Sequence, residues 1–217
     1  MGAYRATAWA PILGFGAVVL YVAFIVAAIA LYPGSTSPAD TFLSELGNAD
    51  LSPSGWVFYN VGMMIGGLLE IPFMVAVARY YAGYGSTRLV RAGLLFGVIN
   101  GVSVVLTGAV AEHIHMGAHI AWSLLIFVSF IPLLVAYSMI LWDQGGTKRL
   151  VSLYGYVVCG VDLGLLAALV YGGTDPGAGS LMEWIAVFAF LIWVVLLSHD
   201  ILRGARTPDD RAKEPKV

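Results

Sequence analysis

The sequence is poor in charged residues and in cysteine. Only 11% of its 217 residues are Asp, Glu, Lys or Arg, whereas a soluble domain carries roughly 25%. The single cysteine, Cys159, excludes an intrachain disulfide and a cysteine-rich metal site. The net charge of −2 is too small to indicate nucleic-acid binding, so we expect no nucleic-acid partner.

Apolar residues make up 59% of the chain and are gathered in six long runs. Crossing a bilayer takes about 20 apolar residues in a helix, and each run is long enough. The runs are too uniformly apolar for the alternating pattern of a membrane β-barrel. The sequence therefore predicts an all-α integral membrane protein, a bundle of six transmembrane helices. The predicted spans are residues 8–32, 55–81, 88–111, 118–142, 149–171 and 181–202.

Lys and Arg residues are confined to one side of this six-span topology. All eleven fall in the N-terminal segment, the 2–3 loop, the 4–5 loop or the C-terminal tail. Because Lys and Arg concentrate in cytoplasmic loops, we predict a multi-pass protein of the cell membrane with both termini in the cytoplasm. Residues 1–203 are predicted to form a single domain, and residues 204–217 a mobile cytoplasmic tail.

The three loops predicted to face outward are rich in acidic residues and histidine. The longest, residues 33–54, is too long for a simple connection. Within it, residues 41–46 are predicted to form a short interfacial helix capped by Asp40, with Phe42, Leu43 and Leu46 on one face. The three loops meet on one face of a six-helix bundle, so we expect a polar bowl there. Its polar side chains come from Glu112, His113, His115, His119, Thr174, Asp175 and Glu183.

His115 and His119 are spaced as a metal site on a helix would require, with Glu112 three residues before His115. However, Gly117 lies between them, and no third ligand is defined. We do not favour a metal, and the sequence identifies no cofactor. The preferred interpretation is hydrogen bonding at a helix start. A further alternative is a histidine acid or base acting on a lipid headgroup, with Ser44 as nucleophile.

Three polar residues lie near the centres of predicted spans, at similar depth: Glu70, Asn100 and Asp162. Polar residues inside a membrane are costly and often functional, and no Lys or Arg is at that depth to pair with them. This midplane polar cluster indicates either a proton or ion path or, as we prefer, a buried hydrogen-bond network that fixes helix register.

Small residues recur at four-residue spacing on three of the predicted spans, which lets helices approach closely. We interpret them as packing positions within the bundle. A face for a homo-oligomer or a larger membrane complex is the alternative. The residues are Gly62 and Gly66, Gly93, Gly97 and Gly101, and Gly160 and Gly164.

Three stretches resemble a known family: FLSELGNADLSPSGWVFYNVGMMIGGLLEI, LTGAVAEHIHMGAHIAWSLLIFVSFIPL and MEWIAVFAFLIW. They are similar to the prokaryotic six-span membrane family catalogued as domain of unknown function 998, which is distantly similar to the DRAM and GPI-anchor-remodelling proteins. The sequence departs from the family pattern at Pro53-Ser54 and at Trp184, and His113 and His115 are not part of it. The matching positions are Ser44, Leu46, Gly47, Asn60, Gly62, Gly67, His119 and Glu183.

The resemblance implies a six-helix bundle with polar residues on its outer face, and no particular reaction. We consider three functions, and whether the chain is an enzyme stays open. The first is binding or modifying a membrane lipid or small amphiphile at an outer-face polar site. The second is transport or proton conduction through the midplane polar cluster, and the third is a non-catalytic subunit of a membrane complex. The outer-face polar site comprises Ser44, Asn60, Glu112, His115, His119 and Glu183.

Overall fold

A computed structural model describes residues 9–171 and 176–204, which form six α-helices and one short 3₁₀ helix. All six α-helices are long and apolar enough to span a membrane. The all-α six-span fold is therefore confirmed, with helix ends within a few residues of the predicted spans. The α-helices are α1 (Ala10–Ala30), α2 (Trp56–Tyr81), α3 (Thr87–Ala109), α4 (Met116–Gln144), α5 (Thr147–Tyr171) and α6 (Pro176–Gly204).

The six helices pack as a closed ring in chain order, with α6 against α1. Glycine allows a close crossing of α2 and α3, because a Cβ on Gly67 of α2 would lie 2.5 Å from the Gly101 carbonyl oxygen of α3. Gly62 and Gly97 likewise lie against Phe24 and Met74 of neighbouring helices. These glycines serve packing inside the bundle. Gly160 differs, because it is exposed on α5 with nothing near it among the described residues.

The ring places the start of α1 beside the end of α6, since Gly14 contacts Ser198. This end of the bundle, called the inner end after the predicted orientation, also carries the 2–3 and 4–5 turns. All the Lys and Arg residues within the described ranges lie there. Which side of a membrane it faces stays a prediction. The residues are Arg79, Arg88, Arg91, Lys148, Arg149 and Arg203.

The inner half of the bundle has a packed aromatic core. Tyr81, Tyr137 and Trp193 are fully buried. The centroid of the Tyr137 ring lies about 6 Å from that of Tyr81 and about 6 Å from that of Trp193. The Tyr81 hydroxyl donates to Asp200 Oδ2 at 2.8 Å, and Lys148 Nζ lies 3.7 Å from the same oxygen. The inner ends of α2, α5 and α6 are thereby tied together.

The surface of the ring that faces away from the bundle axis is apolar, as a lipid-facing surface must be. Many large apolar side chains are exposed on the helices rather than gathered in the core. Lipid contact explains this exposure, which would be unfavourable in water. Examples are Ile12, Val19, Leu68, Leu95, Val157 and Leu163.

The segment between α1 and α2 folds inward over the outer end. Its short helix is a 3₁₀ helix at Leu43–Gly47 with Phe42 at the N-cap. A short helix is thus present where residues 41–46 were predicted to form one, but it starts two residues later, and the predicted cap at Asp40 was wrong. Leu43 and Leu46 are fully buried against the bundle. They add to the protein core, because contacts with residues distant in the sequence, described below, hold the segment against the bundle.

Two parts of the sequence prediction lie outside the described residues. Thr174 and Asp175 belong to the third outer loop, and residues 205–217 belong to the predicted tail. Their roles stay predictions.

Candidate functional site

A partly open cavity of about 80 Å³ lies between α1, α2, α3, α4 and α6. Its walls are mainly apolar and include four phenylalanines. A single water needs roughly 10–15 Å³ on the same measure, so the cavity has room for a group larger than water. The phenylalanines are Phe73, Phe127, Phe130 and Phe190.

The cavity has polar residues at both ends. Ser44 and Glu183 line it at the outer end, and Glu70 and Asn100 line it deep in the bundle. At 1.5 Å per residue, Glu70 lies about 20 Å along α2 from the outer start of that helix. The cavity thus joins two predicted sites, because it connects members of the outer-face polar site to members of the midplane polar cluster.

Glu183 anchors the loop that covers the outer end. The Leu43 N–H donates to Glu183 Oε2 at 2.7 Å, and the Ser44 N–H and hydroxyl also interact with this carboxyl group. On the next residue, the Trp184 indole N–H donates to the Thr41 carbonyl oxygen at 2.9 Å. Glu183 is itself buried. Its first role in the structure is therefore to hold the 3₁₀ helix on the bundle.

Asn60 anchors the other end of the 3₁₀ helix. Its Nδ2 donates to the Gly47 carbonyl oxygen at 2.8 Å. A Cβ on Gly47 would lie 2.6 Å from Tyr59 Cδ1, so glycine is needed for this close approach. Asn60 does not line the cavity but supports the segment that does.

Two tyrosines that sequence reasoning missed lie on the cavity wall. The Tyr21 hydroxyl donates to the sulfur of Met63 at 3.1 Å, and Tyr21 and Tyr59 interact through their hydroxyl groups. Both tyrosines are buried and line the cavity near Glu183. For Tyr21, the available signal was a tyrosine in the middle of the first apolar run, where a position at the membrane interface does not explain it.

The deep end of the cavity carries polar atoms that the protein leaves unpaired. Within the described ranges, Glu70 Oε1 and Asn100 Oδ1 have no hydrogen-bond partner. The hydroxyls of Thr107 and Ser123, higher on the same wall, are also buried without a partner in the described part of the chain. Buried polar atoms are nearly always paired in folded proteins. Such atoms also occur elsewhere in the described part of the chain, but these four line a cavity with room for a ligand, and that combination marks it as the candidate functional site.

Asp162 lies apart from this cavity. It is fully buried on α5, which contributes no residue to the cavity wall. Neither carboxyl oxygen has a hydrogen-bond partner among the residues that the structure describes. The midplane polar cluster is therefore divided, with Glu70 and Asn100 at the cavity and Asp162 outside it.

The histidines of the second outer loop have separate local roles. His115 caps α4 by accepting from the Ala118 N–H, and His113 Nδ1 accepts from the Ala49 N–H at 3.1 Å. Buried His119 contacts the Val110 carbonyl oxygen through Nδ1 at 3.0 Å. Glu112 accepts from Asn48 Nδ2 at 3.3 Å.

The candidate metal ligands Glu112, His115 and His119 do not converge. Across residues 9–171 and 176–204, no three His, Cys, Asp or Glu side chains come together as a metal site would require. Glu112 instead contacts Asn48 of the first outer loop, whereas His115 and His119 contact the backbone of the α3–α4 connection and of the start of α4.

Glu45, on the 3₁₀ helix, is an acidic residue in a perturbed environment. Partial burial raises the pKa of Glu45, and the neighbouring Glu112 carboxylate raises it further. A hydrogen bond with the Phe42 backbone acts in the opposite direction. Ionisation of Glu45 is therefore less favourable in this segment than in water.

Comparison with known proteins places the chain in a family. No curated protein and no solved structure gives a significant match. The family described as "Protein of unknown function (DUF998)" matches residues 15–200, which contain four of the six helices whole and most of the first and last. The chain therefore belongs to this family and is a multi-pass membrane protein.

Proposed function

We propose that this protein, in the cell membrane, binds a lipid or small amphiphile in the cavity between Glu183 and Glu70. The observation that carries the proposal is the cavity itself, which has aromatic and aliphatic walls and polar groups at both ends. Ligand sites are typically concave and mostly apolar, with a few placed polar groups. An amphiphile matches that distribution, because its chain contacts the phenylalanines and its polar group contacts the unpaired atoms.

Ion or proton conduction has less support than binding. A conducting path through Glu70, Asn100 and Asp162 would have to connect all three, and Asp162 is not on the cavity. Below the cavity, Tyr81, Tyr137 and Trp193 are fully buried and contribute nothing to its wall. An accessory role in a larger complex also stays a proposal, for which exposed Gly160 on α5 offers a small-residue surface.

Filling the cavity tests the binding proposal. Gly66 lines the cavity, and a Cβ there would meet Tyr21 at 3.8 Å, an ordinary contact. In Gly66→Leu, the added atoms should occupy the space that a ligand needs. Gly160→Leu is the matched control, since it adds the same side chain to a helical glycine that faces open space.

The measurement is native mass spectrometry of protein purified in a steroid-based detergent and incubated with twelve-carbon amphiphiles. The wild type and Gly160→Leu should carry one bound molecule, and Gly66→Leu should lose at least about 90% of that occupancy, a tenfold or greater loss of affinity. Equal occupancy in all three proteins, or none in the wild type, would contradict the proposal.

A further inference from the structure

The amide of Asn100 leaves one particular kind of atom unpaired at the deep end of the cavity. Its Nδ2 donates to the Ile126 carbonyl oxygen and to Ser129 Oγ, both at 2.9 Å. A carbonyl oxygen can only accept, so the nitrogen of the amide must be the atom that faces Ile126. Both N–H donors of Asn100 are thereby used. The remaining atom, Oδ1, can only accept a hydrogen bond.

Glu70 provides a second acceptor at the same end. Its side chain is 8% exposed, it lines the cavity, and its Oε1 has no hydrogen-bond partner in the described part of the chain. No Lys, Arg or His is among the described residues of the cavity wall. The deep end therefore offers hydrogen-bond acceptors and no cation.

The outer end differs, because the protein already satisfies its carboxyl group. Glu183 Oε2 accepts from the Leu43 N–H at 2.7 Å. An incoming polar group would gain little there and would compete with the loop. Unpaired buried acceptors, in contrast, gain a hydrogen bond that the empty protein lacks. The favourable position for the polar group of a ligand is thus the deep end.

We propose that Glu70 and Asn100 form a subsite for a hydrogen-bond donor, namely the primary ammonium or hydroxyl group of the amphiphile. The inference rests on the proposed function and adds the class of head group. The chain of the ligand then extends outward along Phe127 and Phe130 toward Ser44. A phosphate or carboxylate head is rejected, because Asn100 Oδ1 can only accept a hydrogen bond and no cation is nearby to balance a buried anion.

Four probes with the same twelve-carbon chain separate donor capacity from charge. Dodecylamine and dodecanol both donate hydrogen bonds. Dodecyltrimethylammonium is a cation without a donor, and dodecyl phosphate is an anion. Titration of each probe, followed by native mass spectrometry, gives the affinities. We expect dodecylamine and dodecanol to bind the wild type at least about tenfold more tightly than the other two, the equivalent of one retained polar contact.

Glu70→Gln tests the subsite, with Asp162→Asn as the matched control. Both variants replace a buried carboxyl group in a helix with an amide, but only Glu70 lines the cavity. We expect Glu70→Gln to weaken the binding of dodecylamine about tenfold. The affinity for dodecanol should change less than about threefold, because the amide oxygen of glutamine can still accept a hydrogen bond from its hydroxyl. Asp162→Asn should leave both affinities unchanged. The ranking of the four probes on the wild type needs no variant, so it stands even if Glu70→Gln does not fold.

The outcomes distinguish the two proposals. If dodecyl phosphate binds the wild type as tightly as dodecylamine, or if Glu70→Gln leaves dodecylamine binding unchanged, the donor subsite is wrong. If all four probes bind equally and Gly66→Leu excludes them all, the cavity still binds amphiphiles and only the subsite fails. If butylamine binds as tightly as dodecylamine, the subsite stands, but its ligand is a soluble amine and the amphiphile proposal fails.

Discussion

The outer and inner parts of the bundle are built from the same six helices and differ in how they are packed. In the inner part, Tyr81, Asp200 and Lys148 contact one another beside a fully buried aromatic core. The Tyr137 hydroxyl and the Trp193 indole N–H of this core also have no partner among the described residues, but they line no cavity. Around the cavity, the unpaired atoms of Glu70 and Asn100 lie beside open space instead. Proteins commonly give up stability at functional sites. Under the proposed function, the inner part stabilises the fold and the part around the cavity binds the ligand.

The largest expected effect compares the same substitution at two positions of α6, one beside the cavity and one inward of it. Leu197 is fully buried inward of the cavity, whereas Leu191 is partly exposed and lines it. Leu197→Ala should lower the free energy of unfolding by about 3–5 kcal/mol, the cost of a new void in a packed core. Leu191→Ala enlarges a space that exists already and should cost about 1 kcal/mol. Reversible unfolding in detergent measures both.

Equal losses for the two leucine variants would break the comparison, because the part around the cavity would then be packed as tightly as the inner part. The double variant is a useful check. Its loss should equal the sum of the single losses if the two positions are independent.

The next effect concerns the loop that covers the cavity. Glu183→Ala leaves the buried Leu43 N–H without its acceptor at 2.7 Å, so we expect a loss of about 2 kcal/mol. Residues 31–55 should also become susceptible to protease. Glu183→Gln keeps an acceptor oxygen and should show a smaller change in both. Thermal unfolding and limited proteolysis of the three proteins are the measurements. Protease resistance of residues 31–55 in Glu183→Ala equal to that of the wild type would show that Glu183 does not hold the loop.

The smallest effect is on the pH dependence of the same loop. Burial and Glu112 raise the pKa of Glu45 above its ordinary 4.5, so the folded chain holds this proton more tightly than the unfolded chain. The stabilising contribution is therefore present below pH 4.5 and lost as the pH rises through the raised pKa. Glu45→Gln should flatten the fall in stability over this window, which is followed as melting temperature. The change in the free energy of unfolding should be less than about 1 kcal/mol, because Glu45 is partly exposed.

Melting curves from pH 4 to pH 8, roughly the range over which a moderately raised carboxyl titrates, compare Glu45→Gln with the wild type. Asp50→Asn, on the exposed part of the same segment, is the control. If the two variants have the same pH profile, Glu45 does not carry the dependence.

The six helices were predictable because their signal is local. A run such as Ala10–Ala30 has to be apolar along its whole length, whatever its neighbours are, so its sequence alone marks it. The 3₁₀ helix was less predictable. Its start and its buried leucines depend on Glu183 and Asn60, which are far away in the sequence. Local capping signals at Asp40 were outweighed by these contacts.

The candidate site was predictable in its members but not in its arrangement. Ser44, Glu183, Glu70 and Asn100 were each indicated by the sequence, as members of two separate sites. Their connection through one cavity depends on which faces of five helices meet, and small differences in packing decide that. The same reason explains why Asp162 was grouped with Glu70, since similar depth in a membrane does not fix the direction of a side chain.

The attachment of the covering loop has a consequence for how the protein is made. Leu43 and its acceptor Glu183 are separated by 140 residues, and Thr41 and Trp184 by 143. Contacts at such separation form late, after the intervening chain is in place. During synthesis the first loop can contact Asn60 of α2 early, but it has to wait for Glu183 and Trp184 until the ribosome has delivered the last helix. Insertion of α6 is therefore the step that both closes the ring and finishes the outer site, so a chain truncated before it would lack one wall of the cavity.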